Sequence, residues 1–334
     1  MNLADISNIR LISQQIGRSK LKTAKDIVGW MGAVQAQDYA MAKWAIGLRL
    51  PGSTDQVIEN AINNGEILRT HLLRPTWHFV SADDIYWMLE LTAPKIKESM
   101  RSRHKQLGLT DAIFTKSNSI IEKALRGGKH LIREELLVEI GNAKIVLDGN
   151  RVSHLLTRAE LDGIVCSGAI KGGKQTYALL DEWIPKTQPL NKEEALAKLA
   201  KKYFTSRCPA TFQDFAWWSG LPINTARYAL EMVNSDFISE AIQEQIYWLP
   251  NSYSLPKEDK DHVYLLPAYD EFIISYKDRS AALSFEDRTK TISDNGIFRP
   301  TIVVSGQVAG IWRRTIKKDK VFVKMVFFEY PTHP

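Results

Sequence analysis

One pattern recurs three times along this chain and restricts its fold more than any other feature: a run of helical segments that ends on a tight two-stranded turn. The last copy is the clearest. Thr211 stands where a helix N-cap belongs, ahead of FQDFAWWSG, and Gly220 stands where that helix must stop. Pro222 then opens LPINTARYALEMV in a first helical turn, where the missing N–H has no partner to lose. Phe237–Ile242 and Gln245–Leu249 follow as a hairpin closed by Pro250. A helix over about 191–205 precedes the set.

The middle copy has helical segments at about 111–126 and 132–141 and at Asn150–Cys166. Gly172-Gly173 then turns GAIKGGKQTYALL back on itself. The first copy has helical patterns over about 5–17 and 23–37, a short element at Trp44–Leu50 and a helix over about 54–64. The β-rich halves of EILRTHLLRPTWHFV surround Arg74-Pro75 and read as a hairpin; a long helix over about 82–105 leads away. Three helices followed by a two-stranded wing is the order of a winged helix. The expected class is therefore α+β, with winged-helix units at 1–108, 109–188 and 189–250. The polar, breaker-rich NSYSLPKEDKD reads as a linker. VYLLPAYDEFII, TIVVSGQVAGIWRR and KVFVKMVFFEY read as strands of a small C-terminal β unit at 251–334.

A length of 334 residues agrees with several packed units rather than one core. The net charge is +6, and most of the excess falls in the first 135 residues, which suits a polyanionic partner. No apolar run of about 18 residues occurs, so no membrane span is expected. The N-terminus lacks a signal-peptide pattern, and a cytoplasmic, nucleoid-associated protein is expected. Cys166 and Cys208 are too few for a disulfide framework or a four-thiolate zinc site, and read as buried thiols. No dimerisation heptad is visible, so a monomer is expected, with neither metal nor other cofactor.

Cations and aromatics cluster in a few places. Arg69, Arg74, Trp77 and His78, with His71, share the first hairpin and suit a wing that grips a nucleic-acid backbone. Alternatively, Trp77 and Phe79 are core and the histidines satisfy buried hydrogen bonds. Lys97, Arg101 and Lys105 recur every four residues on one helical face, as a phosphate rail would. Arg313 and Arg314, followed by Lys317, Lys318 and Lys320, form a basic hairpin near the end. Arg151, His154 and Arg158, and Asn224, Thr225 and Arg227, occupy the equivalent last helices of the second and third units. Asp270, Glu271 and Asp278 are expected to make structural ion pairs with Arg279 rather than to bind metal.

Four segments, GAVQAQDYAMAKWAIGLR, EILRTHLLRPTWHFV, LLPAYDEFIISYKDR and VVSGQVAGIWRR, occur in an order and spacing that resemble the bacterial winged-helix DNA glycosylases of the AlkZ/YcaQ type, which unhook interstrand cross-links. The resemblance runs from about residue 5 to 330. It implies three tandem winged helices around a concave channel for double-stranded DNA. One branch of the family carries a Gln-x-Gln catalytic pair and the other Gln-x-Asp. Gln35-Ala36-Gln37, followed by Asp38, resembles the first branch, which implies catalytic roles for Gln35 and Gln37. On a regular helix residues i and i+2 point about 200° apart, so both could serve one site only if the helix ends or distorts around Ala36. Asp38 is the alternative charged group, or a solvent residue. Two other readings of the chain are a non-catalytic winged-helix DNA-binding protein or transcription regulator, and an interaction scaffold. Abasic-site formation on N7-alkylated DNA separates the first reading from these, and salt-sensitive DNA affinity separates the last.

Overall fold

The structure is a computed structural model that describes residues 1–253, 262–318 and 320–328. The first elements are α1 (Leu3–Ser13), α2 (Ala24–Met31), β1 (Val34–Gln35), α3 (Tyr39–Leu48), α4 (Asp55–Asn63), β2 (Ile67–Leu72), β3 (Thr76–Ser81) and α5 (Ile85–Gln106). Next come α6 (Asp111–Leu125), β4 (Leu131–Ile132), α7 (Arg133–Asn142), α8 (Gly149–Leu161), β5 (Val165–Ser167), β6 (Thr176–Leu179) and α9 (Leu180–Trp183). Then follow α10 (Lys192–Ser206), β7 (Ala210–Thr211), α11 (Phe212–Ser219), α12 (Ile223–Glu231), β8 (Phe237–Ile242) and β9 (Gln245–Pro250). The chain finishes with β10 (Val263–Leu266), α13 (Glu271–Ile274), α14 (Arg288–Thr291), β11 (Thr301–Val304), β12 (Gln307–Lys317) and β13 (Lys320–Phe327).

The order helix, short strand, two helices, hairpin occurs three times, beginning at α2, α6 and α10. In the second and third copies the short strand joins the hairpin in a three-stranded sheet, β4-β6-β5 and β7-β9-β8. Gly172 and Gly173 both take positive φ between the bridged Lys171 and Lys174, the geometry their turn demands. Thr211 caps α11 by accepting from Asp214 N, and Gly220 ends it in the left-handed region.

Two compact units result. Met1–Asp55 and Ala197–Pro334 form one, and Gln56–Leu196 the other. In the first, Leu11 and Ile16 pack with Leu266, Phe272 and Val303 against the four-stranded sheet β10-β11-β12-β13. Tyr203, Phe204, Phe215 and Trp218 add a cluster of rings with centroids 5.0–5.3 Å apart. The second unit is cored by Phe114, Ile121, Leu136, Ile140 and Leu155. Cys166 and Cys208 are buried and free, and burial raises both thiol pKa values, that of Cys208 to about 12.

Several local readings need correction. The second helix stops at Met31, not near residue 37, because Gly32 turns the chain with φ +72° and Arg207 captures the freed Met31 carbonyl. Trp44–Leu50 lies largely within α3. Helix α8 ends at Leu161, and Gly163, with φ +68°, releases Val165 and Cys166 into β5. Glu271–Ile274 is a helical turn rather than strand, since Asp270 accepts from Phe272 N and caps it. Most of the expected linker, residues 254–261, lies outside the described residues.

Candidate active site and nucleic-acid interface

In the first unit, the Gln35-Ala36-Gln37 segment is not helical. Val34 and Gln35 are extended as β1, and α3 begins only at Tyr39. In an extended chain residues i and i+2 share a side. The strand covers only Val34 and Gln35, and burial does not alternate along it: Val34, Gln35 and Ala36 are buried, while Gln37, at a bend, is exposed. Gln35 is 6% exposed. Asp38 accepts from Met41 N at 3.0 Å, so it is the N-cap of α3.

The stretch leading to Gln35 is held by a buried ion pair. Arg207 Nη2 meets Glu271 Oε2 at 2.8 Å, with both side chains essentially inaccessible. Glu271 Oε1 accepts from Gln35 N at 2.7 Å. Arg207 Nη1 donates to Met31 O at 2.6 Å and Nη2 to Ala33 O at 2.9 Å. Ser275 Oγ donates to Glu271 and accepts from Arg207 Nε. Burial pushes the Glu271 carboxyl up. The charge of Arg207 and the bonds from Ser275, Arg207 and Gln35 outweigh it and bring the pKa down to about 2. The neighbouring Asp270 pairs with Arg49 at 2.8 Å, and Arg49 also donates to Gln14. The expected pairing of Asp270 and Glu271 with Arg279 is thus replaced by partners from 64 and 221 residues away in sequence. Arg279 instead donates to Ile273 O and lies over the Phe298 ring, while Asp278 accepts from Gln245. Among the described residues no cluster of His, Cys, Asp and Glu has metal-binding geometry.

Also in this unit, β12 and β13 form a hairpin whose two faces differ in chemistry. Directly opposite residues share a face, so Arg313 with Lys324, Thr315 with Phe322 and Lys317 with Lys320 line one side. Arg314 with Val323, Ile316 with Val321 and Trp312 with Met325 line the other. All of β13 is exposed. The Arg314 guanidinium lies over the Trp44 ring at 4.9 Å, whereas Arg313 is exposed. Helix α12 carries the cation Arg227, stacked on Phe212, with Glu231 four residues on.

In the second unit, β2 and β3 pair over Ile67–Leu72 and Thr76–Ser81, as their sequence implies. Arg69 is buried; its guanidinium lies 4.1 Å from the Trp77 ring and it donates to Gln175 at 2.6 Å. His71 Nδ1 donates to Glu160 Oε2 at 2.6 Å, and its ring also packs on Trp77. His78 is buried, with Nδ1 donating to Thr76 O, and Phe79 is core. Trp77 and Arg74 remain half-buried at the hairpin surface. On α5, Lys97 is engaged by Asp162 at 3.0 Å, whereas Arg101 and Lys105 are exposed along a cleft of about 550 Å³ that Arg158 also lines. Arg158 is paired with Asp162, Arg151 with the carbonyls of Val146 and Leu107, and His154 packs on His104.

The ion pairs Arg207–Glu271 and Arg49–Asp270 escape a reading of the sequence, because nothing local to any of the four residues signals its partner. A weak cue exists in LPAYDEF, where two adjacent carboxylates stand amid apolar residues and must find cations once buried.

An interstrand DNA cross-link repair glycosylase of Streptomyces sahachiroi is 22% identical over 310 residues, which are 87% of this chain and 82% of that protein. The solved structure of the Streptomyces sahachiroi DNA glycosylase AlkZ superposes with a TM-score of 0.77 at 19% identity, over 100% of this chain and 92% of that one. The family model of the AlkZ-like DNA glycosylases matches residues 28–330, and the chain therefore belongs to that family.

Proposed function

We propose that this glycosylase hydrolyses the N-glycosidic bond of bulky or cross-linked N7-alkylated purines in duplex DNA, with Gln35 and Gln37 positioning the water. The observation that carries the reading is that Gln35 and Gln37 stand on the non-helical stretch between α2 and α3, where they are not turned about 200° apart as on a regular helix. An N7-alkylated purine is cationic. As the bond from the sugar to N9 breaks, its electron pair passes into the ring and neutralises that charge, so the base departs without a proton. Water adds to the anomeric carbon and gives its proton to solvent. A glutamine carbonyl accepts from that water while its amide donates elsewhere, which positions the nucleophile without a strong base. Water as nucleophile gives base release without strand cleavage. The three helix–strand–helix–helix–hairpin segments act as tandem winged helices, and Arg101, Lys105, Arg313 and the lysines of β12 and β13 take phosphates. Arg74 and Trp77 at the surface of the β2–β3 hairpin extend that grip.

The test is single-turnover release from one duplex carrying N7-methylguanine, a bulkier N7 adduct, a cross-link or uracil. Release of the three alkylated substrates and none of uracil is expected. Gln35→Ala and Gln37→Ala are each expected to slow release at least 100-fold, with DNA affinity within about threefold of the parent. Efficient uracil release, or full activity in both variants, overturns the reading.

A further inference from the structure

The buried pair Arg207–Glu271 is costly in a way its surroundings do not require. Two charges lose their water there, and an apolar pair of similar volume is often as stable or more so. What the pair does that an apolar pair cannot is make directed bonds, and these converge on one segment. Both Arg207 Nη atoms and Glu271 Oε1 bind the backbone of residues 31–35, and the last of these bonds is to Gln35 N itself. The remaining capacity is spent on locking the pair. Ser275 Oγ bridges Glu271 and Arg207 Nε, Tyr276 OH donates to Arg207 O, and the guanidinium lies over the Trp218 ring at 4.4 Å. Lys202 Nζ adds a bond to Gly29 O, one turn earlier. The carbonyl end of α2, where cations are favoured, is thus tied to α10 and to the residue that follows it, Arg207.

We infer that Arg207 and Glu271 are positioning residues for the glycosylase reaction: they hold the chain extended at Gln35 so that its side chain faces the reacting sugar. The inference rests on the catalytic reading of Gln35. Without these bonds the segment after Gly32 has freedom to rotate, and an amide displaced by about 1 Å loses its hold on water while the DNA-binding surface is untouched. Glu271 is buried and accepts from Gln35, Arg207 and Ser275, so its part is to position Gln35 rather than to touch substrate.

The decisive variant replaces both charges at once, Arg207→Met with Glu271→Leu, because removing one alone leaves an uncompensated buried charge. The readouts are the melting temperature, the duplex DNA Kd and the single-turnover rate of N7-methylguanine release at saturating enzyme. The expected result is a folded protein with Kd within about threefold of the parent and a rate at least 100-fold lower. In a Gln35→Ala background the same double change is expected to cost no further rate, because both act through one group. Ser275→Ala, which loosens the pair without removing a charge, is expected to slow release five- to tenfold at unchanged Kd, and it decides the matter if the double variant does not fold. A parental rate in the folded double variant, a parental rate in Ser275→Ala, or full multiplication of the Gln35→Ala loss overturns the positioning role alone. A parental rate in Gln35→Ala removes Gln35 from the catalytic reading and the positioning role with it.

Discussion

Glu271 shows how one buried carboxylate can fix a backbone segment far from it in sequence. Its carboxylate is fully buried, faces Arg207 and accepts the Gln35 amide, and its pKa is depressed to about 2. In the unfolded chain the same group titrates near 4.3. The folded state therefore binds this proton less readily than the unfolded one. The associated stability is fully present above about pH 5 and is lost as pH falls from about 4.3 through about 2. The size is of the order of 2–3 kcal/mol. Denaturant unfolding at a series of pH values should show that slope in the parent. The folded Arg207→Met, Glu271→Leu variant should show less of it, because the titrating group is gone. An unchanged slope in the variant would assign the acid sensitivity to groups other than Glu271.

Among the elements, the β12–β13 hairpin depends on one glycine. A Cβ at Gly310 would come within 2.4 Å of Val326 O and 2.9 Å of Phe327 Cα, so the paired backbone of β13 must move to admit it. Gly310→Ala is expected to cost about 1–3 kcal/mol and to shift the basic face formed by Arg313, Lys317, Lys320 and Lys324. Thermal unfolding with a DNA-binding titration checks this. A parental melting temperature would mean that the strands yield freely. The β2–β3 hairpin is built otherwise. Its inner face is closed by His71 on Glu160 and by Arg69 on Gln175, and only Arg74, Pro75, Thr76 and Trp77 lie toward solvent. Arg69 and His78, which looked from their neighbours like DNA contacts, are buried and serve the hairpin itself.

At the scale of the whole molecule, cations are exposed in both units: Arg101 and Lys105 on α5 in one, Arg313, Lys317, Lys320 and Lys324 on β12 and β13 in the other. If both units meet phosphates, duplex affinity falls steeply with salt, and the logarithmic slope counts the phosphates neutralised. Replacing Arg101 and Lys105 by alanine should lower that slope by about 2, and replacing Lys317 and Lys320 should do the same independently. Titrations at several salt concentrations on two unrelated duplex sequences check this. A slope unmoved by one pair of substitutions would confine the backbone contacts to the other unit.

Local order in this protein is written in short stretches of its chain. Caps and breakers act over a few residues, so Thr211, Gly220, Pro222 and Gly172-Gly173 announce their helices and turns whatever surrounds them. The motif QAQ was equally visible, but its backbone was not. Helical periodicity in AKDIVGWMGAVQAQ continues past Met31, and only Gly32 hints that the helix ends. Tertiary structure decided that point, because the bonds holding residues 31–35 come from Arg207 and Glu271, which folding alone brings near. It also decided which charges face water. Arg10, Arg49 and Arg207 are buried against Asp214, Asp270 and Glu271, while Arg101 and Arg313 are exposed. An isolated arginine looks the same in sequence in either case. Its role follows from whether a carboxylate elsewhere in the chain is brought within reach, and that depends on distances no local pattern encodes.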